Sequence, residues 1–162
     1  MSEGRAIPGL PGPPPLQPFG LVLHHDGQFT HEGDPIRNRL LREHFDRSVE
    51  YLPEEGKYIV RLKHFRGQVD VQEAGFFVRS IDLTTGQIAL SDGSREALEV
   101  STLSGSAIDG ALLCRIKREW VPGGLPARFS HSAQADFLHA IEPEGDHYAV
   151  TIGGQRVVCP EF

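Results

Sequence analysis

With only two cysteines in 162 residues, Cys114 and Cys159, and no Cys-x-x-Cys spacing, the chain has no basis for a disulfide framework or a thiolate metal site; two reduced, buried thiols are expected. Long apolar runs are also missing. No window approaches the roughly 18 apolar residues of a membrane span. Met1-Ser2-Glu3-Gly4-Arg5 leads into prolines instead of an apolar signal core. A cytoplasmic location with no membrane partner is therefore expected. No Gly-x-Ser-x-Gly elbow, Walker loop, Gly-x-Gly-x-x-Gly, His-Glu-x-x-His or calcium loop is present, so no catalytic set, cofactor or metal is expected from motif chemistry.

A basic footprint is absent too. The net charge is −6, with ten Lys/Arg against eleven Asp/Glu in residues 1–79 and six against eleven in residues 80–162. Phosphate neutralisation supplies most non-specific nucleic-acid affinity, and this field opposes it; a nucleic-acid partner is not expected.

What the chain does have is internal duplication. Asp26-Gly27-Gln28-Phe29 followed by Glu32-Gly33 returns as Thr85-Gly86-Gln87-Ile88 followed by Asp92-Gly93. Likewise Pro53-Glu54-Glu55-Gly56-Lys57-Tyr58-Ile59-Val60 returns as Pro143-Glu144-Gly145-Asp146-His147-Tyr148-Ala149-Val150. The repeated residues are turn formers and core positions, so they define architecture. The fold expected is α+β: mostly antiparallel sheets with two covering helices, arranged as two similar α+β motifs around a shared core. Residues 1–18, rich in proline and with PxxP spacings, read as a disordered leader; residues 19–79 form the first motif and 80–162 the second.

Within the first motif, Asp26-Gly27 predicts a two-residue hairpin that sets His24 against Phe29 and His31 against Val22. Asp34 is placed to cap a helix with Pro35 at its first position. Ile36, Leu40, Leu41, Phe45 and Val49 form that helix's apolar stripe. In the second motif, residues 97–100 alternate like a strand. The Gly and Pro of residues 121–126 read as a break anchored by Trp120, and Ser130 can cap a second helix that supplies Phe137, Leu138 and Ile141. Residues 148–158 close the chain as a hairpin around Gly153-Gly154, and the second motif carries additional inserted strands.

Asp26-Gly27 followed by Gly33-Asp34-Pro35-Ile36, then Gly56-Lys57-Tyr58-Ile59-Val60, then Val71-Gln72-Glu73-Ala74-Gly75-Phe76 together resemble the bacterial domain-of-unknown-function 1285 family, chiefly over residues 20–80. Gly75 stands where that family's pattern would have proline. The resemblance implies a pair of helix-packed sheets with a cleft between two motifs, and it brings no established activity.

Eight histidines raise a metal reading, but ligands must converge within about 2.1 Å of one ion, and scattered side chains do not. A basic pattern is the sharper candidate. Val60-Arg61-Leu62-Lys63 and Cys114-Arg115-Ile116-Lys117 each alternate apolar and basic residues, which in a strand sends Arg61 and Lys63, or Arg115 and Lys117, to one face. A small anion could be held by two guanidinium forks and two ammonium charges. Tyr58 and Tyr148, matched between the copies, join these as ligand-contact candidates. The function expected is a small-ligand, anion-binding or sensor module with its guest between the motifs. The alternatives are an adaptor or homodimer using a sheet edge or the Pro-rich leader, and then a hydrolase or transferase without a recognisable motif.

Overall fold

The computed structural model describes residues 16–62 and 66–162, except the side chains of Gln17 and Pro18; most of the expected leader and all of Lys63 lie outside the described residues. The chain divides into two compact units, Met1–Glu73 and Ala74–Phe162.

Unit 1 runs β1 (Leu16–Leu23), β2 (Phe29–His31), β3 (Asp34–Pro35), α1 (Arg39–Ser48), β4 (Glu50–Leu52), β5 (Lys57–Arg61) and β6 (Arg66–Val71), in sheet order β3-β2-β1-β6-β5-β4. It is thus two three-stranded meanders joined side by side. The joint is a parallel pairing of the first strand with the last, Leu21 opposite Val69 and Leu23 opposite Val71. Parallel neighbours need a long connection between them, and α1 with the second meander supplies it.

Unit 2 repeats this plan. Its strands are β7 (Phe76–Asp82), β8 (Gln87–Leu90), β9 (Arg95–Ala97), β10 (Ser104–Gly105), β11 (Leu112–Ile116) and β12 (Leu125–Phe129), in order β10-β11-β12-β7-β8-β9. A single 3-10 turn, Val100–Thr102, stands where unit 1 has α1. Again first and last strands pair in parallel, Phe76 opposite Ala127 and Val78 opposite Phe129. Helix α2 (His131–Ala140) and a separate sheet of β13 (Glu142–Glu144), β14 (His147–Ile152) and β15 (Gln155–Val158) follow. The fold is therefore α+β: the described residues form two mixed six-stranded sheets of like strand order, two helices and a small third sheet.

Both duplications noted in the sequence map onto these elements. Asp26-Gly27 and Glu32-Gly33 turn β1–β3, as Thr85-Gly86 and Asp92-Gly93 turn β7–β9. Helix α1 with β4–β6 has its counterpart in α2 with β13–β15. Tyr58 lies opposite Tyr51, and Tyr148 opposite Pro143, each facing the middle residue of a three-residue strand.

Local expectations fared unevenly. β1 begins at Leu16, inside the stretch read as leader. Its ladder skips between Gln17 and Leu21, where Pro18 has no N–H to offer and Gly20 takes φ +68°. The first hairpin loop is longer than two residues. His24 N–H donates to the Gln28 carbonyl at 2.8 Å and Gln28 N–H to the Asp26 carboxylate at 3.0 Å, so Phe29 faces Leu23 and His31 faces Leu21. Nor does Asp34 cap the helix. Glu32 and Gly33, at φ +51° and +90°, turn the chain back so that Asp34–Pro35 pairs with β2, and Asn38 caps α1 by accepting the Leu41 N–H at 3.1 Å. Of the expected stripe, Phe45 and Val49 are buried and Phe45 meets the Phe29 ring, whereas Leu40 is 70% exposed.

Residues 97–100 do not form the expected strand; β9 ends at Ala97. Leu125 and Pro126, inside the break expected over residues 121–126, instead open β12. Pro126 is tolerated beside β11 because the parallel pairing with β7 begins one residue later, at Ala127. Ser130 caps α2 as expected, accepting the Ala133 N–H at 3.2 Å. The inner face of the second sheet gathers Phe76, Val78, Leu90, Cys114, Ile116, Ala127 and Phe129, all buried, and Phe137 of α2 sets its ring edge-on to Phe129. The loop between β10 and β11 is tied down by Arg128, which grips Asp109 with two bonds of 3.0 and 2.6 Å. No helix among the described residues is long and apolar enough to cross a membrane.

Three outcomes follow for stability. Asn38→Ala should cost about 1 kcal/mol in urea unfolding, while Asp34→Ala should stay within about 0.5 kcal/mol, because only Asn38 caps the helix. Phe137→Ala, truncating a fully buried ring, should cost about 3–5 kcal/mol. The Arg128 bonds and the Ala111 N–H hold the Asp109 carboxyl well below the usual carboxylate range. A carboxyl depressed on folding contributes fully above its unfolded value, about 3.9, and that contribution is lost as pH falls from there through the folded value. Unfolding midpoints measured between about pH 5 and pH 2 should therefore fall less steeply in Asp109→Asn than in the parent chain.

Candidate functional site

The second sheet curls until β9, at one edge, reaches β11, next to the other edge. Strands β12, β7 and β8 separate β11 from β9, yet the Lys117 N–H at the end of β11 donates to the Glu96 carboxylate of β9 at 3.1 and 3.2 Å. Lys117 makes this closure possible by leaving the strand at φ +55°, a left-handed backbone that costs a non-glycine residue energy unless its surroundings hold it. Its ammonium turns inward to Asp92 Oδ2 at 2.9 Å, with Ser94 Oγ at 3.3 Å and the Phe76 ring centroid at 5.1 Å. Burial pushes the Asp92 carboxyl up, but the Ser94 and Lys117 bonds outweigh it and leave the group below its ordinary value.

Beyond Lys117 the chain loops through residues 118–124, with Trp120 and Val121 amides both donating to the Lys117 carbonyl at 3.0 and 2.8 Å. Gly124 must be glycine. Its φ is +75°, and an added Cβ would stand 2.7 Å from Arg118 Cγ and 2.9 Å from the Ile116 carbonyl oxygen. A cavity of about 430 Å³ lies between this loop and the β9 side, lined by Glu96, Glu99, Arg115, Arg118, Glu119 and Trp120, together with Ala97 and Lys117.

The cations lining it are unequal. Lys117 is spent on Asp92, with its side chain only 15% exposed. Arg118 faces Glu99 at 3.6 Å with both side chains about half exposed, a pairing that water and salt weaken. Arg115 donates Nη1 to the Gly124 carbonyl at 3.4 Å, and among the described residues no carboxylate stands within ion-pairing distance of it. The Trp120 indole is 49% exposed. Thus one unneutralised guanidinium, one loosely held guanidinium and an accessible indole share a cavity.

Among the residues singled out from sequence, Arg115 and Lys117 border one cavity, but the left-handed turn at Lys117 ends the alternation that was to align them. Arg61 belongs to unit 1 and pairs with Glu50 at 2.8 Å on an exposed face. Tyr58 is half-buried with its ring 4.9 Å from Tyr51. Tyr148 is 55% exposed on β14 and does not line the cavity. Arg118, Trp120, Glu96, Glu99 and Glu119 were not foreseen as site residues. The available signal was Arg118-Glu119-Trp120, an arginine and a tryptophan two residues apart, just ahead of Gly123-Gly124.

Neither thiol is built for chemistry. Burial, with some help from Glu96, pushes Cys114 up to about 12, and burial also raises Cys159. His24 shares a hydrogen bond with Thr30 Oγ1 at 2.8 Å, and His25 one with Gln72 Oε1 at 2.9 Å. Among the described residues no three His, Cys, Asp or Glu side chains are grouped to hold a metal ion.

No family model and no curated protein matches the chain. Solved structures do. A DUF1285 family protein from Silicibacter pomeroyi DSS-3 superposes with a TM-score of 0.59 at 15% identity, over 88% of this chain and 81% of that one. A second DUF1285 family protein, from Shewanella baltica OS155, gives 0.49 at 11% identity, over 75% of this chain and 91% of its own. At these identities the likeness speaks for fold alone, and over most of its length this chain is a structural match to the DUF1285 family, the one its turn residues resemble.

Proposed function

We propose that the chain is a small-ligand binding module whose guest is a small organic anion, held in the cavity of unit 2 by Arg115 and Arg118 with an apolar or flat portion against Trp120. The observation that carries this reading is Arg115, a guanidinium on a cavity wall with no carboxylate to neutralise it among the described residues. A planar fork of this kind suits a carboxylate or phosphate, and capture of the same group by Arg118 would cost only its weak contact with Glu99. An indole adds contact area at small entropic cost.

Charge narrows the guest further. Three carboxylates, Glu96, Glu99 and Glu119, line the wall beside the three cations, so the local field is close to balanced. A polyphosphate would meet those acids; a guest with one anionic group would not. Arg61, Lys63, Tyr58 and Tyr148 are not needed by this site.

Organic monocarboxylates with aromatic or aliphatic bodies, and monophosphates, should be screened by thermal shift on the full chain. A binder at about ten times its Kd adds roughly 1.4 kcal/mol, which raises the midpoint by about 3–6 °C in a domain this size. Arg115→Ala should abolish that rise and leave the unliganded midpoint within about 2 °C, since it breaks one long hydrogen bond. A stabilising anion whose effect survives Arg115→Ala, and Arg118→Ala with it, would remove the proposal.

A further inference from the structure

Among the described residues, four of five meanders are joined in pairs. β1–β3 lies beside β4–β6, and β7–β9 beside β10–β12, in both cases through an outer strand set against an outer strand. The fifth, β13–β15, stands alone. Its last strand corresponds to β6 in unit 1, which has β5 on one side and β1 on the other; β15 has β14 only.

Which groups this leaves open can be read from the ladder. The Cys159 N–H donates to the Tyr148 carbonyl at 2.8 Å, and Ile152 faces Gln155 across the Gly153-Gly154 turn. Antiparallel pairing alternates, so Gln155, Val157 and Cys159 direct their backbone groups to β14. Arg156 and Val158 therefore direct theirs outward, where no strand among the described residues meets them.

The other outer strands are protected in the ways sheet edges usually are. β3 contains Pro35, β10 is Ser104–Gly105, β13 is Glu142–Glu144 with Pro143 at its centre, and β4 and β9 are three residues long with a charge in each. β15 is the longest of the six, with four residues, and it has no proline. Its one charge is already answered: Arg156 Nε bonds Glu144 at 2.7 Å and Nη1 bonds Glu142 at 3.1 Å. Val158 is 51% exposed.

We propose that β15 is a dimerisation strand, adding antiparallel to β15 of a second copy of this chain to make one six-stranded sheet. Two identical outer strands related by a twofold axis run antiparallel and close the assembly, whereas parallel addition would need an open-ended arrangement. With the axis at Val157, Arg156 of each copy lies opposite Val158 of the other, and the outward N–H and C=O groups of both residues are satisfied. Val157 then meets its own mate. Since Val157 stands in register with buried Val150, the apolar row continues from one copy into the next. Arg156 brings no uncompensated repulsion to the seam, because Glu142 and Glu144 of its own sheet neutralise it.

Sedimentation velocity of the full chain over a concentration series tests this, together with site-resolved hydrogen exchange. The mass should rise from 17.9 kDa towards twice that value, with amides of Arg156 and Val158 gaining protection as concentration increases. Val158→Pro removes an outward N–H that β14 does not use, and should weaken association by about tenfold or more. Val157→Lys places two like charges at the axis and should do the same, so the test stands if the proline variant fails to fold. A parent chain that stays monomeric up to its solubility limit overturns the proposal. So does a dimer without protection at Arg156 and Val158, or one that a folded Val158→Pro or Val157→Lys variant forms as tightly as the parent.

Discussion

The parallel pairing of a first strand with a last strand is the constraint on which each unit rests. Leu21 against Val69, and Phe76 against Ala127, join residues about fifty positions apart, so neither sheet can close until its whole six-strand segment has been laid down. Everything between those strands is free to be local: short turns, two-residue edges, a helix in one unit and a single 3-10 turn in the other. Loop-closure entropy is the cost of such a long-range contact, and the buried apolar faces of Leu21, Leu23, Phe76 and Val78 offset it.

That closure also produces the candidate site. In unit 2 the sheet curls far enough for Glu96 to cap the Lys117 amide and for Asp92 to hold the Lys117 ammonium beside the Phe76 ring. This contact takes up one cation and leaves Arg115 and Arg118 on the cavity wall. Arg115 faces away from the core because it alternates with buried Cys114 and Ile116, and Gly124 brings the returning chain close beneath it. The cavity is thus a by-product of how β9 and β11 meet, with Arg115 as the cation that no carboxylate among the described residues pairs.

The duplication has a structural cost that unit 2 makes visible. The chain repeats meander, helix and meander, yet between the repeated meander β7–β9 and the repeated helix α2 it inserts β10–β12, which take the place beside β7 that β6 holds beside β1 in unit 1. The repeated closing meander is displaced into a sheet of its own. It stays attached to its sister through a turn, where the Gly153 N–H donates to the Leu83 carbonyl at 2.9 Å and Gly86 lies against Ile152.

By itself the sequence determined the local events: the turns at Gly27, Gly33, Gly86 and Gly93, the Ser130 cap, the repeated hairpin and helix segments, and the α+β class with its family resemblance. Each of these depends on side chains a few residues apart, whose steric and hydrogen-bonding preferences act whatever the rest of the chain does. Only the tertiary structure decided which strands become neighbours, that a segment containing Pro126 is a central strand, that Asn38 and not Asp34 starts α1, and that Lys117 turns inward while Arg115 stays out. Those outcomes are set by competition for partners between residues far apart in the chain, as Asp34 is claimed by β2 and Lys117 by Asp92, and no local pattern encodes which partner wins.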